Sequence, residues 1–333
     1  MAEEPDGQVR VLFWGTPGFA LPALSAVTEA GHEVVGVVTR PDRPRGRGRR
    51  ARPSPVRRLA GERGFPVLAP EAPHGEAFEA AIRALAPDIS VVVAYGCILR
   101  RRILDVPPRG SLNLHASLLP ALRGAAPVNW AIARGHAETG VTVMRMVEAM
   151  DAGPVLAQEA VAIGPRDTAA GLSRELAGLG GRLMVETLGR MEAGPVEESE
   201  QDHAAATFAP KVDREAARVE WGRGAREVGG LIRGMDDVPG AWTLLRGAPV
   251  KVFAPGFVEE KGGVDGGWGV TEAVDAGSGR PGEIVTADPK RGILVATGSG
   301  LLHIGEVQPP GRRRMESAAW VRGAGPRAGD RFE

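Results

Sequence analysis

Cysteine is almost missing from this chain. Cys97 stands alone, so no disulfide closes within the protein and no metal site is built from cysteines. Tyrosine is equally rare, with Tyr95 alone, and aromatic residues make up only 5% of the 333 positions. No run of about 18 apolar residues occurs, which excludes an ordinary membrane-spanning helix. The opening residues, MAEEPDGQVR, are acidic and have no apolar core, so no secretory signal is expected and a cytoplasmic location is. Neither sign of charge is in excess, with 41 basic and 41 acidic residues. A nucleic-acid partner would therefore be held by local patches and not by a global field. The dinucleotide fingerprint is also absent. The first apolar run, Val9–Trp14, ends in GTPGF and not in G-x-G-x-x-G, so no nicotinamide or flavin cofactor is expected.

What is present reads first as an α/β pattern. Val9–Trp14, a helical stretch to Ala30 and the apolar run Glu33–Val38 make a strand–helix–strand unit, which indicates a parallel sheet. Asp88–Ala94 is a continuous apolar strand of the kind buried on both faces, followed by the loop Tyr95–Leu99. Further strands are expected at Gly110–His115, Thr139–Met146 and Val155–Ile163. A long helix runs from a cap at Asp167 or Thr168 to about Met191, with Gly180-Gly181 as its weak point. A polar, acidic stretch then breaks the pattern, and from Lys211 short strands and turns take over. Those strands are Ala241–Leu245, Pro249–Phe253, Gly282–Thr286, Gly292–Thr297 and Leu301–Val307, with Pro255–Gly282 as a Gly-rich irregular insertion. The expected architecture is a Rossmann-like, doubly wound, mostly parallel sheet domain over residues 1–194. A linker at 195–209 and a small OB-like β-barrel at 210–333 follow it.

Two stretches carry chemistry. In Ser111–Pro127, SLNLHASLLPALRGAAP, Asn113 and His115 are two apart and share one face of the predicted strand, at the end where open α/β sheets bind ligands. An amide that stabilises an oxyanion beside an imidazole that moves protons is one reading, and an Asn-capped turn beside a satisfied histidine is the other. The second stretch, Arg40–Arg58, holds nine arginines, four prolines, two glycines and the single acid Asp42. That density of Pro and Gly forbids a regular helix or central strand before about Val56. The loop is either a solvated charge run or a phosphate-contacting arm whose flexible tip is Gly46-Arg47-Gly48.

NLHASLLPALRGAAP, with Asp151 lying 36 positions after His115, resembles the active site of formyltransferases that use 10-formyltetrahydrofolate. FWGTPGFALPAL, TRPDRPRGRGRRARPSPV and the C-terminal half, from TFAPKVDREAARVEW to the final GDRF, resemble the branch of that family that acts on methionyl initiator tRNA. The resemblance runs from about Val9 to Phe332. It implies that Asn113, His115 and Asp151 are catalytic. It further implies that Ser117, Leu118, Leu119 and Pro120 line the folate site, and the residues themselves offer Tyr95, Leu99 and Val147–Met150 as candidate walls of the same pocket. Arg43, Arg45, Arg47, Arg49, Arg50 and Lys211 would touch tRNA.

The implied reaction passes through a tetrahedral intermediate with a negative oxygen. Asn113 is suited to meet that oxygen, which is typically worth roughly 2.7–4 kcal/mol. His115 would shuttle the proton, and Asp151 would fix its tautomer, hold a water or take a proton itself. His32, His74, His136, His203 and His303 do not resemble a ligand set, so no metal is expected. A formyltransferase acting on a small amine such as an amino-sugar nucleotide, and a non-catalytic RNA-binding protein, are the competing readings. The arginine loop and the barrel argue against the first, and the intact trio argues against the second. Residues 203–333 carry 18 basic and 17 acidic residues, so any RNA surface there must be one-sided. A membrane partner is not expected, and the protein is expected to be a monomer.

Overall fold

The protein is described by a computed structural model covering residues 8–45, 50–259, 263–264, 279–323 and 325–333. It begins with strand β1 (Arg10–Gly15), helix α1 (Leu21–Glu29) and strand β2 (Glu33–Val38), the unit expected from the sequence. Every residue of β1 and β2 after the first is buried, and the two strands run parallel. Next come β3 (Arg43–Arg45) and β4 (Arg50–Arg52), then α2 (Pro55–Glu62) and β5 (Val67–Leu68). α3 (Glu76–Ala84), β6 (Ile89–Val93), α4 (Arg101–Leu104), β7 (Ser111–His115) and β8 (Arg123–Gly124) follow. The run continues through α5 (Pro127–Ala133), β9 (Glu138–Arg145), β10 (Val155–Ala162), α6 (Ala169–Ala193) and β11 (Phe208–Ala209).

Seven of these strands form one sheet in the order β10-β9-β7-β6-β1-β2-β5. The five from β7 to β5 are parallel, while β9 is antiparallel to both β7 and β10. This is the mostly parallel, Rossmann-like sheet that the alternating strand and helix signals indicate. Thr168 is the residue that caps α6, its Oγ1 accepting from Gly171 N–H, while Asp167 closes a turn onto Gly164 N–H. The helix runs unbroken through the glycine pair. A Cβ at Gly180 would lie 2.6 Å from Leu114 of β7, and one at Gly181 would lie 3.1 Å from the backbone of Pro22. The missing side chains let α6 press directly on the sheet and on α1.

The arginine-rich stretch departs from expectation in one respect. β3 and β4 pair as a short antiparallel ribbon apart from the main sheet. Such a ribbon needs no partner on its outer edges, so it tolerates the prolines that exclude a central strand. Ser54 then caps α2 by accepting from Arg57 N–H.

The chain divides into two compact units. The first is Met1–Pro127, Glu138–Ala162 and Ser173–Pro210; the second is Val128–Ala137, Ile163–Leu172 and Lys211–Glu333. In the second unit, α7 (Ala225–Gly234) precedes β12 (Trp242–Leu245), β13 (Ala248–Glu259), β14 (Gly263–Val264), β15 (Ile284–Asp288), β16 (Gly292–Ala296) and β17 (Leu301–Gln308). β18 (Met315–Glu316) and α8 (Ser317–Arg322) follow. The sheet order is β12-β13-β17-β16-β15, with antiparallel pairing throughout. Residues 330–333 join its outer strands, through Ile284 N–H to Asp330 on one side and paired bonds between Leu244 and Glu333 on the other. The result is a curled, barrel-like sheet. Trp221 stacks on Phe332 inside it, with ring centroids 5.3 Å apart. β13 extends through Pro255 and Gly256, which the sequence pattern alone assigns to the irregular insertion. Ala254 turns into the left-handed region there, opposite Gly305, and the strand continues past the kink. Residues 265–278 of that insertion lie outside the described residues. Among the described residues no helix is long and apolar enough to cross a membrane.

Candidate active site

Strand β7 presents Asn113 and His115 on one face, because strand side chains alternate. Leu114, on the other face, packs against α6 at Gly180. Apolar packing behind the strand thus fixes the polar pair in front. Asn113 is 9% exposed and His115 6%. Among the described residues the Asn113 amide has no hydrogen-bond partner, so its donors are available to a ligand.

His115 Nε2 lies 3.0 Å from the Leu122 carbonyl oxygen. A carbonyl only accepts, so Nε2 carries the proton and donates. Nδ1 faces Asp151 Oδ2 at 3.7 Å, which is beyond hydrogen-bonding reach. That carboxylate oxygen instead accepts from Gly124 N–H at 2.8 Å. The tautomer is therefore fixed by Leu122 and not by Asp151. Asp151 itself holds a left-handed φ of 51°, a conformation that asparagine and aspartate tolerate better than most residues.

The SLLP turn is laced to the sheet. Thr142 Oγ1 on β9 donates to the Ser117 carbonyl and accepts from Leu119 N–H, and Gln158 on β10 donates to the Leu119 carbonyl. Ser117 Oγ closes the turn onto the Ala121 carbonyl, and the Leu119–Pro120 bond is cis. Ser117 and Leu119 are buried, whereas Leu118 and Pro120 are partly exposed. Tyr95 and Leu99, each 2% exposed, pack inward with Leu12, Trp14 and Ile103. Among the described residues the Tyr95 hydroxyl has no hydrogen-bond partner, and burial, reinforced by neighbouring Cys97, pushes its pKa up to about 12. Tyr95 is therefore neutral at any working pH. The apolar groups that do face out beside it are Ile98 at 76%, Val147 at 42% and Met150 at 55% exposure. Glu148 ties their two loops together by accepting from Arg101 N–H.

Several residues at this site gave no functional signal in the sequence. Leu122 N–H donates to Thr207 Oγ1, Arg123 N–H donates to the Thr207 carbonyl, and β8 pairs with β11. Gln201 is buried, donates to the carbonyls of Asp151 (3.0 Å) and Gly153 (2.7 Å), and accepts from Arg123 Nε and Nη2. The acidic composition around these residues reads as a linker. Only the alternation at Thr207–Ala209 hints at a strand.

Of the expected tRNA contacts, Arg43, Arg45 and Arg50 sit on the β3–β4 ribbon, and Arg47 and Arg49 lie outside the described residues. A cavity of about 270 Å³ opens beside the ribbon, lined by Thr16, Arg40, Arg52, Ser54 and Gly96 among others. Arg40 donates to the Gly96 carbonyl and contacts Cys97 Sγ, and Asp42, the lone acid, pairs with Arg57 at 2.9 Å. In the second unit Lys211 is exposed, and Arg214 and Arg218 stand over the Trp242 ring at 4.6 and 5.7 Å. Arg314 is bound to Asp236 and Glu306 and stacked on Phe253, so its charge is already matched.

Residues 8–188 match the family described as formyl transferase, and residues 211–325 match the formyl transferase C-terminal domain. The chain is 42% identical to a methionyl-tRNA formyltransferase of Aromatoleum aromaticum, over 98% of its own length and 97% of the relative's. It is equally similar, at 42% over 96% of both chains, to one from Bacillus licheniformis. Among solved structures, HypX from Aquifex aeolicus in complex with tetrahydrofolic acid shares the fold, with a TM-score of 0.61 at 20% identity. That match covers 96% of this chain and 48% of the other.

Proposed function

The chain belongs to the formyl transferase family, and from that premise we propose that it transfers the formyl group of 10-formyltetrahydrofolate to the α-amino group of methionyl initiator tRNA, giving N-formylmethionyl-tRNA. The relatives of the same length that carry this activity in their names support the choice of acceptor. The observation that carries the reading is the convergence of Asn113, His115 and Asp151, with the imidazole 3.7 Å from the carboxylate. The reading places the enzyme in the cytoplasm, where initiator tRNA is charged.

Asn113 donates to the formyl oxygen as negative charge develops on it, using N–H groups that have no protein partner to give up. His115 takes the proton from the attacking amine at Nδ1, because Nε2 is committed to the Leu122 carbonyl. The same atom returns the proton to the leaving nitrogen. A free α-amino group has a pKa near about 8, and the ester linkage to tRNA lowers it, so the nucleophile is already partly neutral. His115 therefore acts chiefly on the tetrahedral intermediate. Asp151 stabilises the imidazolium formed in between, closing the 3.7 Å gap once Nδ1 bears a proton.

The folate supplies the formyl group. Ile98, Val147 and Met150, with Leu118 and Pro120 of the turn, offer the exposed apolar surface and adjacent backbone groups that a flat pterin and its linker require. Tyr95 and Leu99 support that wall from behind. Arg43, Arg45 and Arg50 on the ribbon, Arg47 and Arg49 close to them in sequence, and Lys211 in the second unit contact tRNA phosphates. Formylation assayed side by side with methionyl initiator tRNA and an amino-sugar nucleotide tests the whole reading. Turnover of the sugar alone would refute it.

A further inference from the structure

Resting on that reading of Asp151, we propose that Gln201 is a positioning residue for the reaction and that Arg123 holds it in place. Together they fix the carboxylate of Asp151 relative to the imidazole of His115.

Three consecutive residues hold every group involved. The carbonyl of Leu122 accepts from His115 Nε2 at 3.0 Å, and the N–H of Gly124 donates to Asp151 Oδ2 at 2.8 Å. Between them, the Arg123 side chain turns to Gln201 with Nε and Nη2 at 3.1 and 2.6 Å from its Oε1. The amide of Gln201 then reaches the Asp151 and Gly153 carbonyls on either side of Ala152. Asp151 is consequently gripped at its carboxylate from one end of this segment and at its backbone from the other. Its left-handed φ of 51° is a conformation that surrounding contacts must maintain, and Gln201 supplies two of them.

Arg123 is unusual in its own right. It is 6% exposed, yet its guanidinium meets Gln201 Oε1 and His203 Nδ1, and among the described residues no carboxylate pairs with it. Burying a cation without an anion is unfavourable for stability alone. A fork of fixed N–H groups aimed at one amide oxygen makes sense if the purpose is to set that amide's orientation. Segment 201–209 secures the other end as well, since Thr207 holds Leu122 and Arg123 through the backbone.

Gln201→Glu tests this with little change of shape. It keeps the acceptor for Arg123 but removes both donors and sets a carboxylate oxygen against two carbonyls. The expected result is a fall of about 10- to 100-fold in kcat, the penalty for a displaced catalytic group, with KM for folate and tRNA within about twofold. The pH profile of kcat should change shape as well. Gln201→Met, which is uncharged and of similar length, should do the same. In a background of Asp151→Asn, whose residual turnover is followed over long incubations, Gln201→Glu should change kcat by less than about twofold, because the group it positions is already disabled. Undiminished kcat in both Gln201 variants, with Asp151→Asn nearly inactive, overturns the positioning role while leaving Asp151 catalytic. Full activity of Asp151→Asn overturns the catalytic reading itself. Loss of the melting transition and of folate binding in both Gln201 variants would make the residue purely structural and likewise overturn the inference.

Discussion

Asn113 is 9% exposed, and among the described residues its amide has no protein partner, so its N–H groups are available to a ligand oxygen. Asn113→Ala should therefore lower kcat by about 10²–10³ while folate titrations show little change in affinity. His115→Ala should lower kcat by about 10²–10⁴, the usual contribution of a positioned acid–base group. Steady-state formylation measures both, and unchanged turnover in either variant would remove that residue from the mechanism. The division of labour between the two nitrogens of His115 rests on the Leu122 carbonyl, a backbone group that no side-chain motif reveals. Tyr95 illustrates the converse. It packs into the core as a neutral phenol and also lines the cavity beside the ribbon, a placement that its residue type alone does not reveal.

At the level of elements, the two-residue strands β8 and β11 matter more than their length suggests. Gly124 has a φ of 121°, and a Cβ there would lie 2.6 Å from the Ala209 carbonyl oxygen. Gly124→Ala should destabilise the fold by about 2 kcal/mol or more in denaturant unfolding, because neither the backbone angle nor the close approach accommodates a side chain. Activity per folded molecule should fall too, since the same residue donates to Asp151; a stable, fully active variant would contradict both points. The β3–β4 ribbon makes a different prediction. Replacing Arg43, Arg45, Arg50 and Arg52 with Gln should flatten the salt dependence of tRNA binding by about 0.7–0.9 for each phosphate that is no longer neutralised, with folate affinity unchanged. A slope equal to that of the unmodified protein would mean the ribbon is merely solvated.

Across the whole molecule, the second unit has almost no net charge, so its role in RNA binding depends on where its arginines stand. Arg214 and Arg218 are held over Trp242, a basic and aromatic grouping suited to nucleic acid. Arg214→Ala with Arg218→Ala should raise KM for tRNA severalfold and leave KM for folate unaltered; a KM for tRNA unchanged from that of the unmodified protein would exclude this face. Point changes are a cleaner test than deleting the barrel, because residues 128–137 and 163–172 group with the second unit and residues 201–209 with the first. A cut at the apparent linker would sever β11 from β8.

Much of this was legible in advance. Continuous apolar runs such as Ile89–Val93 identified the buried parallel strands, and the alternation in Ser111–His115 placed Asn113 and His115 on one face. The five main strands of the second sheet followed from short apolar runs bounded by turn residues. Periodicity and spacing are local properties, and a chain displays them before it folds. What only the tertiary structure decided depends on residues distant in sequence. Examples are the antiparallel direction of β9, the role of Gly180 against Leu114, and the bonding of Gln201 to Asp151 across 50 positions. Hydrogen bonds between side chains and remote backbone groups leave no pattern in composition, since any polar residue in any loop is able to make them. The residue types at the site were therefore set by sequence. The distance and direction between the imidazole and the carboxylate were set by how segment 201–209 closes over the loop after β7.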